Sequence, residues 1–502
     1  MKSIVKIAFL ASLAFNALLS SSQNTFEKVF EELGQAEIRA SIETSDNDFI
    51  LAISPTSLNV ENNYLIKISS CGDVIDSFNY EISDGSLVFL GLFYHPTLDD
   101  VFIVPAVIYD GQRSAKVAII SIDKDMNIVE DKRCDFSNIV QDLTPVVVPS
   151  VTVYDNEMAM TAHVILNDDE YANLYARISL NGECLAVCTD NSYNTPAKWT
   201  TSIDLVNKTD KCFAVLNRNT DELSGQSLFI NMLDSTMTVQ KSKKIEYDNA
   251  SGMSYIFFTP NDTPVLKALN DTTIIIDLMA RKIIARQSYS GYCIATMNHD
   301  LDIIETVDYF YDEPDIMVRL PLRKSFNIHD DYIYSCSIIN LHSYHPLYKT
   351  RCLVAKYDMD MNVIWERFVN QKDGYYYPIY VLATEDGGCL LTGYSCDDSY
   401  QNKYSYALKT DADGYLGIGE NHSIEVKPFL CYPNPAKDNI CIEISPDVTC
   451  DEIVLYSIDG RIIKSQSASF ENIDISGLSQ GLYILKVKLS DGKEFSERII
   501  KN

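Results

Sequence analysis

Two tripeptides, Tyr94-His95-Pro96 and Tyr344-His345-Pro346, set an imidazole between an aromatic ring and a proline-fixed backbone. Exposed loops of that kind stack on sugar rings or anchor a protein contact. Trp199, Tyr309-Phe310-Tyr311 and Tyr375-Tyr376-Tyr377 extend the aromatic set. Both His-Pro segments read as following the second strand of their repeat unit, and the other aromatics as lying in connections between units. That reading brings Tyr94, His95, Trp199, Tyr311, Tyr344, His345 and Tyr376 toward one side, with carboxylates nearby to hydrogen-bond hydroxyls. The competing reading is that these rings pack the loops against the scaffold. The other histidines, at 163, 299, 329, 342 and 422, belong to no motif, so no catalytic residue is assigned.

Other chemistry is absent from the pattern. Gly477-Leu-Ser479-Gln-Gly481 has the spacing of a nucleophile elbow, but a strand follows it and no histidine lies between 428 and 502. Asp123-Lys-Asp125-Met-Asn127 opens like a calcium loop, yet Ile128 stands where such a loop needs glycine. Asp and Asn are also what a tight hairpin selects, and turn chemistry is the expectation. No Cys-x-x-Cys pair, His-Glu-x-x-His helix, phosphate loop or dinucleotide fingerprint occurs. Neither metal nor cofactor is expected.

The elements that must position these residues are strands. From about residue 40 to 417, short runs rich in Ile, Val, Tyr and Phe alternate with Asp, Asn and Gly. A strand, a polar turn and a second strand recur, with turns marked by Gly72, Asp125, Gly182, Ser235, Asp300, Asp360 and Asp413, 53 to 65 residues apart. Seven such units suit a ring of four-stranded blades. The fold class expected is all-β, a seven-bladed β-propeller with six or eight blades as alternatives, followed by a small Ig-like β-sandwich. A β-helix or a string of sandwiches competes with the ring. The last unit lacks a fourth strand, and Thr25 to Phe30 resembles one, so residues 25–30 are expected to close it.

The chain's formal charge is −29, from 41 basic and 70 acidic side chains, which argues against nucleic acid and anionic membrane as partners. Residues 1–22 read as a signal peptide: Lys2 and Lys6, an apolar run from Ile7 to Leu19, then small residues. That run is too short to span a membrane, and no transmembrane segment is expected elsewhere. Thirteen cysteines, many in apolar strand runs, read mainly as buried thiols. The expected organisation is 1–22 signal, 23–417 propeller, 418–427 linker and 428–502 terminal domain.

The terminal segment carries Tyr432-Pro433-Asn434-Pro435-Ala436, then Asp459-Gly460-Arg461, then Leu478, Gly481 and Tyr483, with Arg498 to Asn502 at the end. In that order these resemble the type A C-terminal sorting domain of the type IX secretion system of Bacteroidetes. The resemblance implies that the tail engages the secretion machinery, crosses the outer membrane of a Gram-negative cell and is removed by a sortase. The cargo would then be released or held at the surface. Its expected role is a binding module for extracellular glycan or protein, the alternatives being a polysaccharide hydrolase or lyase and a structural surface protein.

Overall fold

The computed structural model describes residues 25–501 except for short segments, the longest being 56–62, 191–197, 246–252, 256–264, 311–317, 340–350 and 417–428. The chain divides into two compact units, Met1–Glu420 and Asn421–Asn502. Among the described residues no helix is long and apolar enough to cross a membrane.

In the larger unit the described strands form seven antiparallel sheets of four or five strands. Sheet 1 comprises Ala36–Glu43, Phe49–Pro55, Tyr64–Ile68 and Val74–Asn79. Sheets 2 to 6 follow in chain order, with outer strands Ile128–Asp135, Cys184–Asp190, Val239–Ile245, Ile303–Phe310 and Val363–Phe368. Sheet 7 comprises Tyr375–Ala383, Cys389–Cys396 and Lys403–Thr410. Its outer strand is Phe26–Phe30, paired antiparallel with Lys403–Thr410 from Phe26↔Lys409 to Phe30↔Ser405. The expected closure by residues 25–30 is therefore present.

Buried apolar layers join each sheet to the next. Ile103 of sheet 2 shares a buried cluster with Met160 of sheet 3, as do Tyr175 and Cys212, Phe213 and Ile274, Ile294 and Leu353, and Cys336 and Leu391. One further cluster unites Phe30 and Leu390 of sheet 7 with Ile38 of sheet 1 and Phe102 of sheet 2. A row of sheets whose last member packs on its first is a closed ring, which makes the unit a β-propeller.

The recurrent outer turns share one geometry. The residue at their first position, Ser69, Asp123, Ser179, Asp234, Asn298, Asp358 or Asp411, donates its N–H to the carbonyl four residues on, at 2.8 to 3.1 Å. Asp123 Oδ1 accepts the N–H groups of Asp125 and Asn127 at 3.0 and 2.8 Å, so the carboxylate serves the turn. The fourth position is left-handed in all seven: Gly72, Gly182 and Gly414, but also Met126, Met237, Leu301 and Met361. Those four side chains are buried. Core packing there holds a backbone conformation that bulky residues otherwise avoid.

One sequence expectation fails at the first His-Pro segment, which read as following the second strand of its unit. Val101–Tyr109 is the second strand of sheet 2, with a buried interior. Pro105 disguises it. The proline carbonyl accepts the Leu90 N–H at 2.8 Å, and its missing N–H falls opposite the break between Ser86–Phe89 and Phe93–Tyr94, where the neighbouring strand is interrupted.

The smaller unit is a β-sandwich of a three-stranded sheet (Phe429–Tyr432, Asn439–Ile444, Asn472–Asp474) and a four-stranded one (Ile462–Gln466, Cys450–Ser457, Gly481–Leu489, Glu494–Lys501). Ile440, Ile453, Ile473, Leu485, Val487 and Ile499 fill its core. Tyr483 packs on that core and donates its hydroxyl to the Ser479 carbonyl at 2.9 Å. Gly481 sits at φ +152, and Leu478 closes the preceding turn by donating its N–H to Ile475 O at 3.0 Å. Arg461 is exposed, its carbonyl accepting the Ser457 N–H at 2.9 Å. Pro433, Asn434, Pro435, Asp459 and Gly460 lie outside the described residues.

Candidate functional site

The most elaborate polar constellation gathers at the first turn of sheet 7, Thr384-Glu385-Asp386-Gly387-Gly388. The Thr384 N–H reaches Gly388 O at 3.1 Å and the Gly387 N–H reaches Thr384 O at 2.9 Å. Gly387 is left-handed at φ +81. At Gly388 a Cβ would lie 2.1 Å from the Thr410 carbonyl oxygen and 2.8 Å from Lys409 Nζ. Only glycine lets the third strand bring its lysine under the turn.

That lysine is almost wholly buried. Its Nζ donates to Asp386 Oδ1 and Oδ2 at 2.9 and 2.8 Å and to the Thr410 carbonyl at 2.6 Å. Asp386 Oδ1 also accepts the Thr384 hydroxyl at 2.7 Å and the Gly388 N–H at 3.0 Å. Burial pushes the Asp386 carboxyl upward, but the Lys409 charge and these donors outweigh it and hold the group below the ordinary carboxylate range. Sheet 1 repeats the device: Lys67 on its third strand lies 3.4 Å from Asp48 in the Thr44 turn. A buried cation beneath the first turn is thus a repeat feature that fixes turn geometry.

What sheet 7 adds comes from its neighbours. Glu43, ending the first strand of sheet 1, crosses to sheet 7 and accepts the Glu385 N–H on Oε2 at 2.9 Å. Burial, with Asp386 nearby, raises its carboxyl above the usual range despite that bond. From sheet 6, Tyr334 donates its hydroxyl to Gly387 O at 2.6 Å and Lys356 Nζ donates to the same carbonyl at 3.0 Å. Lys356 also lies 4.2 Å from the Tyr332 ring centroid, and burial lowers its pKa. His329 Nε2 stands 3.7 Å from Glu385 Oε1.

Between sheets 1 and 7 a cleft of about 210 Å³ opens at this end. Asn47, Phe49 and Ser70 line one side, Glu385, Asp386 and Lys409 the other, with Glu43 between them. Hydroxyl, amide, carboxylate and ammonium groups converge there, which suits a ligand rich in hydroxyl or amino groups.

The residues singled out from sequence do not form one group. Tyr94 is 56% exposed, and its hydroxyl donates to the Glu43 carbonyl at 3.0 Å. His95 Nδ1 accepts the N–H groups of Thr97 and Leu98 at 3.3 and 3.2 Å, capping its own loop. Because Phe93–Tyr94 pairs with Val101–Tyr109, that loop joins the first strand of sheet 2 to the second. It therefore lies at the first-turn end. The second His-Pro segment falls within 340–350, between the second and third strands of sheet 6, and lies outside the described residues. Tyr376 is 3% exposed, packs edge-on to Tyr406 and donates its hydroxyl to Glu27 Oε1 at 2.9 Å. It secures the ring closure and does not face solvent. Trp199 lies in Lys198–Leu205, paired with Asn217. Tyr311, Tyr344 and His345 lie outside the described residues.

Glu43, Glu385 and Lys409 went unnoticed in the sequence. The Thr-x-Asp pattern shared by Thr44 to Asp46 and Thr384 to Asp386 is the one sequence signal that marks both turns.

Residues 430–502 match the family of secretion system C-terminal sorting domains, which identifies the smaller unit as a type IX sorting domain. No curated protein matches the chain. Among solved structures, polysaccharide lyase Uly1 is similar at TM-score 0.40 and 8% identity over 75% of this chain and 90% of its own. The β-propeller domain of the Trilobed protease from Pyrococcus furiosus gives 0.38 and 8% over 79% and 100%. An α-L-arabinanase of Penicillium chrysogenum, complexed with arabinobiose, gives 0.37 and 7% over 77% and 98%.

Proposed function

We propose that this exported β-propeller is a binding module whose ligand, an extracellular glycan, seats in the cleft between sheets 1 and 7. Export itself follows from the sorting domain. The observation that carries the reading is the cleft lining, in which Asn47, Ser70, Glu385 and Glu43 offer donors and acceptors to hydroxyl groups. The carboxylates are held by fixed donors, as at Asp386 with three partners, which favours recognition over proton transfer. Attachment at the cell surface, and removal of the tail by a sortase, belong to the same proposal.

The test is a glycan array with the secreted protein, followed by Glu385→Ala and Ser70→Ala. Both should weaken binding by about tenfold. Unchanged affinity in both, with loss on Trp199→Ala, moves the site to the opposite end of the ring.

One observation supports a second reading. Glu43 is pushed up and Asp386 down within one cleft, and carboxyls so separated can divide acid and base roles in a hydrolase or lyase. Under that reading Glu43→Gln abolishes turnover of any glycan the array returns while leaving its binding intact. If no turnover is measurable in the unaltered protein, the binding reading stands alone.

A further inference from the structure

Two cysteines meet across the junction of sheets 2 and 3. Cys134 is the penultimate residue of the outer strand Ile128–Asp135, and Cys184 opens the outer strand Cys184–Asp190. The outer turn of sheet 3 presses on sheet 2 just beside them. A Cβ at Gly182 would lie 2.9 Å from the Arg133 carbonyl oxygen and 3.1 Å from its nitrogen. Backbone therefore touches backbone one residue before Cys134 and two before Cys184. The two thiols complete the contact, within hydrogen-bonding reach of each other. Cys134 is buried against the layer shared by the two sheets, whereas Cys184 is exposed on the outside of the ring.

This differs from the other thiol gathering in the propeller. Cys336, Cys352 and Cys389 are near one another but wholly buried, beyond the reach of an oxidant. At the junction of sheets 2 and 3, one partner of the pair faces solvent. Both are also carried on paired strands, so the approach is built into the scaffold.

We propose that Cys134 and Cys184 become a disulfide during export, a covalent staple between the outer strands of two adjacent sheets. The route to the cell exterior passes an oxidising compartment. The oxidant is a thiol–disulfide oxidoreductase carrying its own disulfide. Cys184, exposed, loses its proton and attacks one oxidoreductase sulfur, forming a mixed disulfide and releasing that protein's second cysteine as thiolate. Cys134 then loses its proton and attacks Cys184 Sγ, which breaks the mixed disulfide. The S–S bond between Cys134 and Cys184 remains, and two electrons and two protons end on the oxidoreductase as a dithiol. The staple closes a chain segment between residues 134 and 184, which restricts the unfolded chain most where the ring must keep neighbouring sheets in order.

The experiment is peptide mapping of the protein as its producing cells secrete it, denatured in an alkylating reagent without reductant. Trypsin leaves residues 134–177 and 178–198 as separate peptides. The expected result is one cross-linked species two hydrogens lighter than their sum, with fragmentation placing the bond at Cys184 and not at Cys188. Reduction should release both peptides and lower Tm by several degrees, a shift that Cys184→Ser shows with or without reductant. Because Cys134→Ser alters a buried position and can hinder folding, Cys184→Ser is the deciding variant. Alkylation of both thiols in the unreduced protein overturns the proposal, as does a bond from Cys184 to any other cysteine.

Discussion

Tyr376 and Glu27 lie 349 residues apart in sequence, yet the tyrosine hydroxyl donates to Glu27 Oε1 at 2.9 Å. The bond fastens the first described strand to the sheet that ends the ring. Phe30 on the same strand is fully buried, and Ser405 opposite it donates to the Ala36 carbonyl at 2.7 Å, tying sheet 7 to sheet 1. Tyr376→Phe should cost about 1 kcal/mol through the lost hydrogen bond. Phe30→Ala should cost about 3–5 kcal/mol through the cavity it leaves. Deleting Phe26–Phe30 exposes the Lys403–Thr410 edge and should prevent folding. Urea denaturation reads all three; a deletion variant with an unaltered midpoint would refute the closure argument.

Asp277 gives the propeller a pH dependence of definite sign. It is fully buried within Thr273–Ile284, and Oδ1 accepts the Val265 N–H at 2.6 Å. Burial lifts its pKa to about 7. The unfolded chain ionises this group near pH 4, so between about pH 4 and 7 the folded state holds the extra proton and stability falls as pH rises. Asp277→Asn keeps an acceptor for Val265 and removes the titration. It should flatten that slope and raise stability at about pH 8 by up to about 4 kcal/mol. Equal slopes in the two proteins would show that Asp277 ionises normally.

Much of the scaffold was readable because turn chemistry is local. Asp123 selects its turn through hydrogen bonds within four residues, so the repeat shows in sequence. Residues 101–109 were misread because the proline that normally breaks a strand stands opposite a gap in the neighbouring one, and that gap is a tertiary feature. The cleft was illegible for a related reason. Lys409 looks like any strand lysine, and only pairing with Asp386 beneath Gly388 gives it a buried place. Tyr376 sits in an aromatic run that reads equally as an exposed platform or a core. Its partner Glu27 is supplied from the other end of the unit, and no local pattern reveals it.

The sorting domain predicts a clean separation of folding from export. Its sandwich has its own core around Ile440, Ile453 and Leu485. Removing residues 428–502 should leave the propeller folded but retained inside the cell envelope. Fractionation and limited proteolysis check both halves of that statement. Truncated protein appearing in the medium would show that another signal carries the cargo. Protein recovered outside should end before residue 430, as its C-terminal mass reports.

Lys409 and Asp386 offer the sharpest test of how the cleft is held. Lys409→Met retains the apolar stem but leaves Asp386 without its cation. Asp386 is 42% exposed at its side chain, so water recovers part of the loss. The cost should be about 2 kcal/mol, below that of breaking a fully buried pair. The folded Asp386 carboxyl is held below its unfolded value, so its stabilisation is present at neutral pH and is lost as pH falls through the folded pKa. Lys409→Met removes that share of the acid sensitivity. The two proteins should differ most above about pH 5 and converge as acid protonates Asp386 in both. A gap that stays constant down to about pH 2 would mean that the lysine stabilises the turn through packing alone, and that its charge does not organise the cleft.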